Sequence, residues 1–182
     1  MNTNNINVID TKDIIRKKKK LPAYLTEEEF IQLMKQVKKK HHKLAMMLGF
    51  NSGLRVGEVT NLTKEQIDFG GKRIFIRDAK GGKDRVVPLP KGFPKEYLKH
   101  VPLKCGIRAL QKAFKRYINK TGITKPNLHF HSLRHSFAIK CMNKGIPLNQ
   151  IQVLLGHESI ATTSVYLKIN PQEALQSYEN LW

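Results

Sequence analysis

From Thr26 onward the chain switches between two hydrophobic periods. Phe30, Leu33, Met34 and Val37 recur at helical spacing. They follow Thr26-Glu27-Glu28-Glu29, where an acid three residues after a threonine has the spacing of a capping box, so a helix is predicted to start at Thr26. A second apolar stretch, Leu44 to Phe50, ends at Ser52-Gly53, and the glycine supplies the turn into a short helix carrying Arg55, Glu58 and Leu62. At Gln66 the texture becomes that of strands. Ile67-Asp68-Phe69, Arg73–Ile76 and Arg85–Leu89, separated by Gly70-Gly71 and Lys80-Gly81-Gly82-Lys83, predict three antiparallel strands. Helical spacing returns in Ile107, Leu110, Phe114, Tyr117 and Ile118, then in Leu133, Phe137 and Cys141, with shorter helices predicted at Leu148–Leu155, Ala161–Lys168 and Pro171–Leu181. The expected fold class is mainly α with a small three-stranded antiparallel β-sheet, in one unit from about residue 23 to 182. Residues 1–22, Asn-rich and then basic from Arg16 to Lys20, read as a tail or linker.

Charge narrows the partners. The 182 residues carry 33 Lys+Arg against 14 Asp+Glu, a formal net charge of +19, on an otherwise ordinary globular composition with 40% hydrophobic residues. The surplus therefore decorates a folded body, and a polyanion is the partner that best neutralises it: nucleic acid first, an anionic membrane surface second. The longest apolar run, Leu44 to Phe50, is far short of the roughly 20 residues that span a bilayer, so no membrane-spanning role is expected. The polar start MNTNNINVID has neither the basic nor the apolar region of a secretory signal, which points to a cytoplasmic protein. Cys105 and Cys141 form no CxxC pair and read as free buried thiols of a reducing compartment.

Four clusters could carry chemistry, and each has an ordinary alternative. Arg55 and Glu58 in Gly53-Leu54-Arg55-Val56-Gly57-Glu58 have the spacing of an intrahelical ion pair. Lys80 and Lys83 sit at a hairpin tip, where lysines often merely discourage edge-to-edge aggregation. On a helix, His131, Arg134 and His135 share one face while Leu133 and Phe137 face the core. Two imidazoles and a guanidinium suit an anion, and backbone binding alone would also use them. Finally, Gly156 stops a helix, His157 lies in the turn, and Tyr166 follows where a tyrosine is usually core filling. Together they supply the charge stabilisation, nucleophile and proton donor of phosphoryl transfer. A tyrosine near pKa 10 is ionised to about one part in a thousand at pH 7, and a cationic pocket is expected to raise that fraction. The acidic residues are scattered, so a two-metal nuclease is not expected.

In this order the clusters resemble the tyrosine recombinases, or phage integrases, including the Xer-type resolvases. The likeness rests on Gly53–Glu58, on Lys80-Gly81-Gly82-Lys83-Asp84-Arg85-Val86-Val87-Pro88-Leu89, on His131-Ser132-Leu133-Arg134-His135-Ser136-Phe137-Ala138, and on Leu154-Leu155-Gly156-His157 with Tyr166 nine residues after the histidine. The resemblance implies a site-specific DNA recombinase in which Tyr166 is the nucleophile, forming a 3′-phosphotyrosyl link. Arg55 and Arg134 would clamp the phosphate, Lys80 (or Lys83) would protonate the leaving oxygen, His131 would act as base, His157 would hold a phosphate oxygen and Glu58 would brace Arg55 or a neighbouring helix. Arg16, Lys17, Lys18, Lys83, Arg85 and His135 are candidates for DNA contact. The expected partners are double-stranded DNA in the nucleoid and other protomers, up to a tetrameric synapse. Leu175, Tyr178 and Trp182 are spaced along one face of a C-terminal segment that would pack on its own domain or, as the family often has it, dock on a neighbour. Neither cofactor nor metal is implied. The expected departure from the family is the absence of a separate N-terminal DNA-binding domain. A DNA-binding or regulatory protein that keeps the fold is the competing reading, with topoisomerase-like relaxation as a related activity.

Overall fold

The computed structural model describes residues 21–77 and 84–168. Helix α1 (Glu27–Gln36) opens with the reciprocal cap anticipated above: the Glu29 N–H donates to Thr26 Oγ1 at 3.2 Å, and the Thr26 N–H donates to Glu29 Oε2 at 2.8 Å. Two orphan donors of the first turn are thereby satisfied, and the apolar face follows in register. Phe30 of that face stacks on Phe50 of helix α2 (Lys40–Ser52), ring centroids 3.8 Å apart.

Helix α2 stops where Gly53 adopts φ 68°, a left-handed conformation that costs glycine little. A Cβ on Gly53 would lie 2.6 Å from the ring of Phe137, so close packing demands glycine here as well. Helix α3 (Val56–Asn61) follows directly. Strands β1 (Ile67–Asp68), β2 (Arg73–Ile76) and β3 (Arg85–Pro88) then pair antiparallel in the order β1-β2-β3, with Ile74 opposite Val87 and Ile76 opposite Arg85. Strand alternation turns Ile74, Ile76, Arg85 and Val87 inward together.

Helix α4 (Ile107–Asn119) buries Leu110, Phe114, Tyr117 and Ile118 of the stripe expected of it, with Ala113 in addition, whereas Ile107 in its first turn is exposed. Helix α5 (His131–Asn143) departs from its sequence reading. It was expected to face the core with one side only, yet Ser132, Arg134 and Ser136 are buried with Leu133 and Phe137. The reason is tertiary. Leu133 belongs to the larger core built by α1 to α4 and the sheet, while Phe137, Ala138, Ile139, Cys141 and Met142 form a second core with Ile151, Leu155 and Tyr166. Helix α5 runs between the two, so nearly every side is an inside.

Helix α6 (Leu148–Leu155) has the bounds expected of it, and Gly156 ends it with φ 61°. The helix expected over Ala161–Lys168 divides into α7 (Ile160–Thr163) and a tight 3₁₀ turn, Ser164–Lys168, which carries Tyr166. Consecutive Thr162, Thr163 and Ser164 favour that break, since such hydroxyls compete for backbone groups; Ser164 Oγ donates to the Ala161 carbonyl. The helix expected over Pro171–Leu181 lies outside the described residues. No helix among the described residues is long and apolar enough to cross a membrane.

Gly53→Ala combines a left-handed backbone with overlap on Phe137, and is expected to cost about 3 kcal/mol of stability, read as a lower urea midpoint at unchanged slope.

Candidate active site

The pocket grows from the end of α6. Its last carbonyls have no partner inside the helix and carry the negative end of the dipole. Three arginines from three other elements fill those positions. Arg85 Nε donates to the Leu154 carbonyl at 3.0 Å, Arg134 Nη2 donates to that of Leu155, and Arg55 Nη2 donates to that of Gly156 at 3.3 Å. Arg134 Nη1 also reaches the Gly53 carbonyl at 2.8 Å, so both left-handed glycine turns contribute an acceptor.

Glu58 is the carboxylate that makes the assembly tolerable. Its Oε2 accepts from Arg85 Nη2 at 2.6 Å and from the Arg55 backbone N–H at 2.8 Å. Its Oε1 accepts from Arg55 Nη1 and Arg85 Nη1, both at 2.9 Å. Burial pushes the carboxyl upward, but hydrogen bonds and charge from Arg85, and then Arg55, outweigh it and hold the group down at about 2. The predicted brace between Glu58 and Arg55 is present, and its scope is wider than the sequence suggested. Arg85, expected as a DNA contact, is instead a buried strut with its side chain 4% exposed. Its signal was available in the alternation of β3, which places Arg85 on the inward face with Val87.

Arg134 is 1% exposed, and its Nε is buried with no hydrogen-bond partner among the described residues. Burial, followed by repulsion from Arg55 and Arg85, pushes its guanidinium down to about 9. Histidines surround it. His131 and His135 meet edge to face with centroids 4.8 Å apart. His157 places Nδ1 2.9 Å from the hydroxyl of buried Thr163, a partner the sequence did not announce. Burial, and then neighbouring histidines and arginines, hold His131 and His157 at about 4 and His135 at about 3, so all three imidazoles are neutral at pH 7.

Tyr166 is 2% exposed and packs in the second core. Its hydroxyl lies 2.9 Å from Nδ1 of His135, not against His131. His135, expected at the DNA surface, is thus the nearest titratable neighbour of the tyrosine. The expectation that cations would ionise Tyr166 is corrected as well: burial pushes the phenol up to about 12, and Arg134 opposes that only in part. Beside these residues opens a cavity of about 740 Å³ lined by Arg55, Gly57, Glu58, Gln66, Arg77 and His131 among others. Lys80, Lys83, Arg16, Lys17 and Lys18, together with the C-terminal Leu175, Tyr178 and Trp182, lie outside the described residues.

Three guanidiniums facing one carboxylate, a buried N–H donor left over, and a tyrosine beside neutral imidazoles make a receptor for an anion with a nucleophile at its edge. Comparison with known proteins agrees with that chemistry. The family model described as "Phage integrase family" matches residues 23–108 and 99–173. The tyrosine recombinase XerA of Thermococcus kodakarensis is 32% identical over 179 residues, covering 87% of this chain and 62% of that protein. XerA of Pyrococcus furiosus is 34% identical over 181 residues, covering 88% and 62%. The crystal structure of the XerH site-specific recombinase bound to palindromic difH substrate, a post-cleavage complex, superposes with a TM-score of 0.72 at 26% identity, covering 87% of this chain and 53% of that one. The chain therefore spans less than two thirds of the length of the curated relatives it matches.

Acid is expected to weaken the fold in two stages. His42, His131, His135 and His157 have folded values of about 3 to 4 against an ordinary 6.5, so the unfolded chain binds more protons and stability falls as pH drops from 6.5 toward 4. Glu58, lowered to about 2 from 4.5, adds a second loss as pH falls below 4.5. Urea midpoints measured from pH 7 to pH 3 check both stages. Glu58→Gln leaves two guanidiniums short of their counter-charge; it is expected to cost about 3–5 kcal/mol at pH 7 and to lose most of the second stage while keeping the first.

Proposed function

The chain belongs to the phage integrase family, the tyrosine recombinases, and from that premise we propose that it cleaves and rejoins double-stranded DNA through Tyr166. The Tyr166 oxygen attacks a backbone phosphorus, the bond from phosphorus to the 5′ oxygen breaks, and a 3′-phosphotyrosyl link and a 5′-hydroxyl result. Religation by a second 5′-hydroxyl reverses the step, and the phosphodiester energy is conserved in the link. The observation that carries this reading is the buried, unpartnered Nε of Arg134, a donor left over in the arginine cluster of a guanidinium whose charge reaches Tyr166.

In this proposal Arg55 and Arg134 hold the non-bridging oxygens and His157 hydrogen-bonds one of them. Lys80 protonates the leaving oxygen, with Lys83 as the alternative. A phenol held at about 12 is not ionised beforehand, so its proton leaves during attack and needs an acceptor. His135 Nδ1 is already 2.9 Å away, while His131, the base expected from the family, stands next to His135. The sequence motif supports His131 and the contact supports His135. A phosphodiester cannot reach an oxygen on a side chain only 2% exposed, so the Ser164–Lys168 turn lifts Tyr166 out of the second core before attack. The partners follow from the premise: duplex DNA and further copies of the chain, four in a synapse within the nucleoid, with the C-terminal segment docked on a neighbour.

Incubation with a suicide duplex that loses its 5′-hydroxyl fragment is expected to give a protein–DNA adduct stable on a denaturing gel and absent in Tyr166→Phe. No adduct on any duplex, including the ends of its own element, would instead favour a protein that only binds DNA. The base is assigned by the pH profile of adduct formation. His131→Ala is expected to slow cleavage about 100-fold or more and to remove its acidic limb; the same outcome in His135→Ala alone would give the role to His135.

A further inference from the structure

Away from this pocket, three side chains able to ligate a metal meet where the first turn of α2 faces the loop leading into α4. Ligand atoms of His41, His42 and Cys105 all lie within 4.8 Å of one another. Donors around a tetrahedral zinc ion, with Zn–N about 2.0 Å and Zn–S about 2.3 Å, stand about 3.6 Å apart, a gap that side-chain torsions close without moving the backbone. The His41 and His42 rings are 4.4 Å apart between centroids and inclined at 70° to each other.

Two further observations point to a ligand. His42 is held from behind: its Nδ1 is 3.3 Å from the Tyr117 hydroxyl, the outer hydrogen bond that fixes the tautomer of a ligating imidazole and leaves Nε2 for the ion. His100 lies 6.4 Å from His41 between ring centroids, and its Nε2 is buried with no hydrogen-bond partner among the described residues. Buried ring nitrogens ordinarily find a partner, so this one is a donor in search of an acceptor or a lone pair in search of a cation. Burial, and then neighbouring positive groups including Lys39, lower both His41 and His42.

We propose that His41, His42 and Cys105, with His100 as the fourth ligand, bind a divalent transition metal of the zinc class. Binding forms three metal–nitrogen bonds and one metal–sulfur bond; the S–H bond of Cys105 breaks and its proton goes to solvent. Mixed nitrogen and sulfur donors select zinc or cobalt over magnesium or calcium, which need oxygen ligands. Burial raises the Cys105 thiol, and Lys39 lies near it, so the field does not attract the ion and the metal–thiolate bond has to supply the binding. The ion pins the loop before α4 to α2, outside the cleavage chemistry.

The full chain, cleared of metal by a chelator under reducing conditions, is titrated with Co²⁺ alone. A saturable sulfur-to-cobalt charge-transfer band at one ion per chain is expected, displaced by Zn²⁺, lost in Cys105→Ser, weakened about tenfold in His41→Asn and retained in Cys141→Ala. His131, His135 and His157 cannot give a thiolate band, so metal on the pocket histidines is not mistaken for this site. Independently of any variant, saturating Zn²⁺ is expected to protect Cys105 from iodoacetamide, read by peptide mass spectrometry. Absence of the charge-transfer band, its persistence in Cys105→Ser, or equal alkylation rates with and without Zn²⁺ overturns the proposal.

Discussion

Three guanidiniums in one small volume repel one another, and the pocket exists because the end of α6 gives each of them a carbonyl. Leu154, Leu155 and Gly156 accept from Arg85, Arg134 and Arg55, and Glu58 joins two of the three. The three bonds to carbonyls join residues 21, 69 and 101 apart in the chain, so β3, α3 and α5 are located by one helix terminus. Gly156 is part of this constraint twice over. Its left-handed backbone ends the helix where the carbonyls are needed, and a Cβ there would sit 2.9 Å from Arg85 Cδ. With one carboxylate against three cations the cluster stays positive, which prepares it for an anion before any arrives.

The same enclosure restrains Tyr166, the nucleophile of the proposed reaction. Tyr166 is near enough to Arg134 to feel its charge, yet burial wins and the phenol stays protonated at about 12. A tyrosinate permanently exposed beside the arginines would be a hazard to any phosphodiester it met. Here the tyrosine is buried in the core that holds Phe137 and Leu155, with His135 as the hydrogen-bond partner of its hydroxyl. Deprotonation and exposure are therefore coupled: whatever withdraws Tyr166 from the second core also removes the burial that kept its proton on.

Local signals in the sequence survived the transition to structure. The Thr26–Glu29 cap, the glycine stops at Gly53 and Gly156 and the period-2 strands depend on neighbours a few residues away, and all are found. What the chain did not disclose is tertiary. Helix α5 looks amphipathic only if it has one inside, and it has two, which is why Arg134 is buried rather than displayed. Arg85 was read as a cation available to DNA because charge alone does not say which carboxylate claims it; the strand alternation did carry the answer. The contact between His135 and Tyr166 joins residues 31 apart in the chain, and no local pattern specifies which of two histidines one turn apart receives the hydroxyl.

Neutral imidazoles recur at both histidine clusters, and for one reason: burial among lysines and arginines makes another positive charge expensive. Their chemistry then diverges through their neighbours. Beside Arg55 and Arg134, His131, His135 and His157 are proton acceptors and hydrogen-bond partners in a site whose fixed charge calls for an anion. Beside Cys105, His41 and His42 offer lone pairs next to a group that becomes negative once a metal displaces its proton to solvent. The first cluster has guanidiniums and no thiol, and its carboxylate is already bound to Arg55 and Arg85, so a divalent cation there meets net repulsion. The second is near lysines too, but the thiolate bond is short-ranged and local, so it competes with a field that salt and solvent already weaken. A net charge of +19 thus does not make every histidine a phosphate ligand. The fixed groups within a few ångströms decide between an anion and a cation.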